Sequence, residues 1–257
     1  MQDLALPVLV FARVAGIVAA APGFGLAEVP LKLRFAVAAV LVPVMAPIAH
    51  AGSAASGVEL DYLPLFALKE AAVGLAIGFA GSLLFYGIGM AGQLVAHQMG
   101  FLGGSPGLPA AVGGAQSALG AGPISRFYCL LGVLTYFTID GHHWLLAAVA
   151  RAYERLPVDR LLPQADVAQP LTALCADMFV VALQVAAPVL AALFLVDIAM
   201  AAAARSVPAL SPFTVGLPVR SAVGLVGLAV SAPLVGAAVV GHAEALHRAL
   251  LDIATGL

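Results

Sequence analysis

Residues 71–92 read AAVGLAIGFAGSLLFYGIGMAG, an apolar stretch in which glycine and alanine recur at short intervals. Its last six residues, 87–92, fit the G-x-G-x-x-G pattern of dinucleotide-binding turns. That pattern requires a short strand before it and an acidic residue about 20 positions after it. No aspartate or glutamate occurs between Glu70 and Asp140, and the apolar run before the glycines is too long for such a strand. The sequence therefore argues against a nucleotide site.

The same glycines fit a small-residue pattern that is typical of closely packed helices. Gly74 and Gly78 are spaced as G-x-x-x-G, which lets two helix backbones approach each other where the surroundings are apolar. The partner helix can belong to the same chain or to a neighbouring subunit, and we favour the same chain. The predicted helix-packing residues are Gly74, Gly78, Gly87, Gly89 and Gly92.

The composition predicts a membrane protein. Of the 257 residues, 63% are hydrophobic and 9% are charged, whereas a soluble domain carries about 25% charged residues. The net charge is −2 and no basic run is present, so nucleic acid is excluded as a partner. Cys129 and Cys175 lie in apolar stretches without other ligands at metal-binding spacing, which favours two buried thiols over a disulfide or a zinc site.

The hydropathy pattern predicts an all-α, polytopic fold with one domain over residues 1–257. Membrane-spanning segments of about 20 residues are helical, because each segment must satisfy its own backbone hydrogen bonds. Pro43, Pro188 and Pro233 are expected to kink or break their helices. Lysines and arginines divide evenly between the two sides of such a layout, so they set no orientation. The predicted apolar stretches are 4–27, 33–49, 71–96, 124–150, 171–204 and 214–241.

Charged side chains inside these stretches are expected to matter for assembly. Arg13, Asp140 and Asp197 lie well within apolar sequence. A charge at the centre of a bilayer costs about 3 kcal/mol or more, so such groups face protein or water. We predict that the three residues are buried charges that need partners.

Residues 100–123 form the most unusual segment of the chain. They contain eight glycines, three prolines and no charged residue. Glycine and proline disfavour regular helix, while an ordinary solvated loop is more polar than this. An uncharged, mildly apolar loop suits a position that must exclude water and ions yet move aside. A passive linker is the alternative.

The turn Asp140-Gly141-His142-His143 resembles a metal or acid–base cluster in composition only. Neighbouring residues on a helix do not share a face, since the face repeats at three and four residues. His242, Glu244 and His247 miss the H-E-x-x-H spacing of a zinc protease. We therefore predict no metal site, no cofactor and no catalytic residue, and we assign the turn a structural role at a helix end or subunit contact.

Five segments carry residues that match a known family. They are FARVAGIVAAAPGFGLAEVPLKLRFAVA (11–38), GLAIGF (74–79), AGQLVAHQMGF (91–101), FYCLLGVLTYFTIDGHHWLLAAVARAYERLPV (127–158) and APVLAALFLVDIAMAAAARSVPALSPFTVGLPVR (187–220). Through them the chain resembles the FliR/SctT family of type III protein export-gate subunits, whose N-terminal signature has residues like Arg13, Gly16, Pro22, Pro30 and Arg34 at these places.

This resemblance, closer to the flagellar branch, implies a non-enzymatic export-gate subunit in the bacterial inner membrane, within the flagellar basal body. It implies assembly with FliP-like, FliQ-like and FlhB-like subunits in contact with membrane lipid, and passage of unfolded export substrates. It also implies helical hairpins tilted in a spiral. The loop that it implies as a pore plug includes Met99, Gly100, Phe101, Leu102, Gly103, Gly104, Pro106, Leu108 and Leu119.

The chain departs from the family pattern at two places. The loop lacks an Asp-Pro pair, and Ser211-Pro212 replaces a common Asn-Val. Three other functions remain open at this point. An injectisome export subunit would share the fold, and a secondary transporter would have a midplane substrate site within an isolated protein. A membrane enzyme would use Asp140, His142 and His143, and bound metal would support it.

Overall fold

The computed structural model describes residues 2–21, 30–52, 62–100, 122–156, 158, 168–206 and 215–256. Within these ranges the chain forms α-helices and no strand, so the all-α prediction is confirmed. The helices are α1 (Gln2–Ala20), α2 (Leu31–Gly52), α3 (Leu63–Gln98), α4 (Pro123–Thr138), α5 (Gly141–Arg155), α6 (Ala168–Ser206) and α7 (Gly216–Gly256).

Four of these helices are long and apolar enough to cross a membrane, judged by length and composition: Lys32–His50, Leu63–Gln98, Gln169–Arg205 and Gly216–Ile253. The chain is therefore an all-α polytopic membrane protein. Burial distinguishes α3 from the others. In the most apolar part of α3, 67% of the residues are buried within the chain, whereas the same fraction for α2 is 17%. The glycine-rich helix α3 is thus an interior element, while α2 presents its apolar side chains outward.

The predicted stretch 124–150 is two helices, not one. Asp140 ends the turn between α4 and α5 in the left-handed region, with φ 57°. Aspartate tolerates this conformation better than most residues, and Gly141 follows it at the start of α5. The hydroxyl of Tyr136 donates a hydrogen bond to the carbonyl of Gly141 (2.6 Å), which fixes the turn. With 16 and 15 residues, α4 and α5 are each shorter than a bilayer span of about 20 residues.

The prolines that were expected to kink or break helices do not break them. Pro43 lies inside α2, Pro188 inside α6 and Pro233 inside α7, and each helix continues on both sides. Proline is tolerated in apolar helices because neighbouring groups and small local adjustments satisfy the backbone groups that it frees.

The described helices belong to two compact units. The first comprises Met1–Leu83, Tyr136–Ala176 and His242–Leu257, and the second comprises Leu84–Thr135 and Asp177–Gly241. Helices α3, α4, α6 and α7 each contribute residues to both units.

In the first unit, α1 and α3 approach at backbone contact. A Cβ atom added at Gly74 would lie 2.9 Å from the carbonyl carbon of Arg13, and one at Gly78 would lie 2.6 Å from the carbonyl oxygen of Ile17. Gly16 of α1 is equally close to α3, since its added Cβ would lie 3.0 Å from the backbone nitrogen of Leu75. These glycines leave no room for a side chain between the two helices.

In the second unit, the later glycines of α3 pack against α6 and α4. An added Cβ at Gly87 would lie 2.6 Å from the carbonyl oxygen of Met178, and one at Gly92 would lie 2.5 Å from the Cα of Ser125. The hydroxyl of Ser125 donates a hydrogen bond to the carbonyl of Gly89 (2.8 Å), so α4 lies close enough to bond the α3 backbone directly.

We expect Gly74→Ala to destabilise the protein even though alanine favours helix by about 1 kcal/mol over glycine. The new methyl group meets the Arg13 backbone, which cannot rotate away, and such overpacking costs about 1–3 kcal/mol. The matched control is Gly241→Ala in α7, where an added Cβ has no heavy atom within 4 Å. Thermal unfolding in detergent, followed by circular dichroism, should give a lower melting temperature for Gly74→Ala only. Equal melting of both variants would contradict the close approach.

Candidate functional site

A buried ionic cluster joins α1 to α3 in the first unit. The side chains of Arg13 and Glu70 are both fully buried. The guanidinium donates from Nε to Oε2 of Glu70 at 2.5 Å and from Nη2 to Oε1 at 3.0 Å, which is a two-point contact. Two parallel bonds from a planar guanidinium to a carboxylate are the strongest side-chain pairing of this kind. The charge predicted at Arg13 is therefore paired within the chain.

The end of α5 completes the surroundings of Arg13. Nη2 also donates to the carbonyl oxygen of Leu156 (3.0 Å), and the guanidinium carbon lies 4.0 Å from the centre of the Tyr153 ring. Burial raises the pKa of Tyr153, so its phenol stays neutral and contacts the cation through the ring face. The buried guanidinium of Arg13 thus contacts both α3 and the end of α5.

A second cation shares the Glu70 carboxylate. Nζ of Lys69 lies 2.8 Å from Oε1 of Glu70, and its side chain is 3% exposed. It also donates to the carbonyl oxygen of Val158 at 3.4 Å. One buried carboxylate therefore contacts two buried cations. Since an uncompensated buried charge is strongly destabilising, Glu70 is the residue on which this cluster depends most.

The sequence analysis missed Lys69 and Glu70, although a signal was available. Glu70, Gly74 and Gly78 follow one another at intervals of four, so they share one face of α3. That face was already predicted to pack against a helix. A carboxylate on the packing face, opposite a helix that carries an arginine within apolar sequence, is an ion-pair prediction.

The residues at which α3 ends are held in the second unit. Met99 is fully buried. An added Cβ at Gly224 of α7 would lie 2.5 Å from the Met99 sulfur, so Met99 occupies a notch that only glycine leaves open. Gly100 then takes a positive φ of 83°, which favours glycine, and an added Cβ there would lie 2.5 Å from Cδ1 of Leu217. The last described residues after α3 are therefore both held against α7.

Most residues predicted for the plug lie outside the described residues. These are Phe101, Leu102, Gly103, Gly104, Pro106, Leu108 and Leu119. Met99 and Gly100 are the described members of that set, and together with Gly224 and Leu217 they form what we call the loop base.

Asp197, the predicted buried charge of α6, pairs with α7 in the second unit. Its Oδ1 lies 2.6 Å from Nε of Arg220, and the two side chains are 33% and 39% exposed. Arg220 was assigned no partner from the sequence, because the two residues belong to separate helices.

Asp140 differs from the other two predicted charges, because its side chain is 72% exposed in the isolated chain. The neighbouring histidines also differ from the sequence argument. The rings of His142 and His143 lie 4.1 Å apart, although they follow each other on the chain. They stand at the first turn of α5, where the chain has just left the Asp140 turn.

Comparison with known proteins gives the same family as the sequence motifs. The model of the family described as bacterial export proteins, family 1, matches residues 4–246. The chain belongs to this family. The resemblance to the FliR/SctT family is therefore confirmed.

Three proteins illustrate what the chain is similar to. The flagellar biosynthetic protein FliR of Bacillus subtilis (strain 168) is 33% identical over 230 residues, covering 86% of this chain and 84% of the relative. FliR of Caulobacter vibrioides is 29% identical over 247 residues, covering 96% and 94%. The Yop proteins translocation protein T of Yersinia pestis is 28% identical over 175 residues, covering 65% and 63%.

We expect Glu70→Gln to destabilise this bacterial export protein more than Arg13→Met does. The first change removes the carboxylate that both cations contact, and breaking a buried pair in this way costs about 3–5 kcal/mol. The second change keeps most of the side-chain volume and leaves the contact between Lys69 and Glu70 in place. Arg151→Met, at an exposed position of α5, serves as the matched control and should stay within about 0.5 kcal/mol of wild type.

Melting temperatures of the detergent-solubilised full chain measure these differences. The expected order of stability is wild type and Arg151→Met first, Arg13→Met next and Glu70→Gln last. A Glu70→Gln variant that melts with wild type would show that the cluster does not stabilise the fold.

Proposed function

We propose that this chain is a flagellar biosynthetic protein, one subunit of the type III protein export gate in the bacterial inner membrane. As part of the channel in the basal body, it passes unfolded substrates. The observation that carries the proposal is the family match over residues 4–246, together with flagellar relatives that align over most of both chains. The proposal assigns no catalytic activity to the chain.

The surface of the described helices supports a subunit that is surrounded by other apolar matter. Large apolar side chains are exposed on all four long helices: Val40 of α2 is 72% exposed, Leu68 of α3 is 69% exposed, and Leu195 of α6 and Val226 of α7 are each 66% exposed. Lipid and FliP-like, FliQ-like and FlhB-like subunits would cover such surfaces.

The loop base supports a gating role for the segment that follows it. Met99 and Gly100, which directly precede this segment, are held against α7. Residues 101–121 contain no charge. A charged seal would retain water and counter-ions, whereas an apolar constriction closes by dewetting. We propose that the segment seals the channel at rest and moves aside for an export substrate.

Genetic complementation tests the proposed function. Deletion of the gene in its own bacterium should abolish flagellar filaments and the export of filament proteins, and re-expression should restore both. Solubilised membranes should yield the chain in one complex with the FliP-like and FliQ-like proteins of that bacterium. Normal filaments in the deletion strain would refute the flagellar assignment.

A second candidate function is the same role in a non-flagellar injectisome, favoured by the relative from Yersinia pestis. The two candidates predict different secreted proteins. A deletion strain that keeps its filaments but stops exporting injectisome substrates would support the second candidate over the first.

We expect removal of residues 103–120 to leave the complex assembled but make the membrane permeable to small ions. The deletion takes out the uncharged segment and spares Met99 and Gly100 at the loop base. The matched control replaces 103–120 by an equally long Gly/Ser linker, which restores length without apolar side chains and should also leak. Proton leak in cells that express each variant with its partners measures the effect. If the shortened complex is present at normal levels and the membrane does not leak protons, the segment is only a linker.

A further inference from the structure

Three side chains of metal-binding types come together at the turn between α4 and α5. Asp140, His142 and His143 each present one ligand atom, and these atoms all lie within 4.8 Å of one another. Oδ1 of Asp140 is 3.5 Å from Nδ1 of His143, and the two imidazole rings lie 4.1 Å apart. Among the residues that the structure describes, no other group of three such side chains meets this condition.

The backbone holds these groups in place. Asp140 is the one non-glycine residue with a positive φ in the described part of the chain, and this conformation starts α5 directly after it. Its backbone nitrogen donates to the carbonyl of Phe137 (3.2 Å), and its carbonyl accepts from the nitrogen of His143 (2.9 Å). The hydrogen bond from Tyr136 to Gly141 closes the turn from the other side. The three side chains therefore project from a short segment whose backbone is already ordered.

His142 provides a second, independent observation, which concerns one of its ring nitrogens. Its ring packs beside Phe137, with ring centres 5.2 Å apart, and its Nδ1 is shielded from solvent without a hydrogen-bond partner. Polar atoms in such positions are normally paired, so an unpaired one calls for an explanation. Asp140 and His143 remain mostly exposed, at 72% and 64%, and are free to rotate toward a shared ion.

The ligand set selects the kind of ion. One carboxylate oxygen and two imidazole nitrogens suit Zn²⁺ and similar divalent transition metals, while Ca²⁺ and Mg²⁺ prefer oxygen ligands alone. Ligand atoms around tetrahedral Zn²⁺ are about 3.4 Å apart, given bond lengths near 2.1 Å. The ligand atoms lie within 4.8 Å of one another, so an ion would require the exposed side chains of Asp140 and His143 to rotate inward.

We propose that Asp140, His142 and His143 bind one divalent transition-metal ion of the Zn²⁺ class, with water completing the coordination. The ion would cross-link the left-handed turn to the first turn of α5. Binding would stabilise the folded chain by mass action to the extent that the ordered turn holds the three ligands in a better geometry than the unfolded chain does. The proposal adds a binding site to the turn and assigns it no reaction.

Metal titration of the full chain tests this proposal. The protein is purified in detergent without a polyhistidine tag and stripped of metal with a chelator. Co²⁺ binding is followed by visible absorption and Zn²⁺ binding by calorimetry. We expect one ion per chain and a rise in melting temperature on Zn²⁺ addition. Saturation only above about 1 mM would mean adventitious association and overturn the proposal.

Variants identify the ligands. His143→Ala, at an exposed position, should weaken binding by at least about tenfold, as even the loss of second-shell partners weakens metal sites by this amount. His142→Ala should do the same. The matched control is His97→Ala, an exposed histidine at the end of α3, which should bind like wild type. Equal weakening by His97→Ala would overturn the proposal.

Asp140→Gly separates the carboxylate from the backbone conformation. Glycine adopts the positive φ at no cost, so the metal-free variant should keep the melting temperature of wild type. It should nevertheless bind Co²⁺ at least about tenfold more weakly. Unchanged affinity in Asp140→Gly would exclude the carboxylate as a ligand and overturn the three-residue site.

Discussion

The contact between Arg13 and Glu70 is the interaction on which the first unit depends. It exists because α1 and α3 touch backbone to backbone at Gly16, Gly74 and Gly78, which brings a carboxylate and a guanidinium within direct reach. The glycine contact between the two helices in turn depends on the ion pair. Close glycine packing has little apolar area to stabilise it, whereas a two-point ion pair enclosed by protein resists separation of the same two helices. The seam and the ion pair therefore stabilise each other.

Helix α3 links this cluster to the loop base, because the same helix changes partners along its length. Near its start it contacts α1 through the ionic cluster and the first glycines, and later it contacts α6 and α4 through Gly87 and Gly92. It ends where Met99 fills the notch at Gly224. Small residues thus occur on α3 where a neighbouring backbone comes close within each unit, and Gly87 and Gly92 of the pattern that resembles a nucleotide-binding turn are packing residues.

Sequence alone gave the membrane class, the all-helical fold and the family, because these depend on composition and on motifs spread over the whole chain. The sequence did not predict local structure that depends on tertiary contacts. The stretch 124–150 reads as one apolar segment, yet the left-handed Asp140 and the Tyr136 hydrogen bond divide it. Glu70 was treated as the border of an apolar run, although its place four residues before Gly74 puts it on the packing face.

The ion pairs within the chain limit which interactions other subunits must provide. Arg13 and Asp197 were expected to need partners, and both find them within the chain, at Glu70 and Arg220. Large apolar side chains, by contrast, are exposed on α2, α6 and α7. Other subunits are therefore not required to neutralise these two charges. The exposed apolar side chains are available for contact with lipid or other protein, while the internal ion pairs help to fix which helices of this chain lie together.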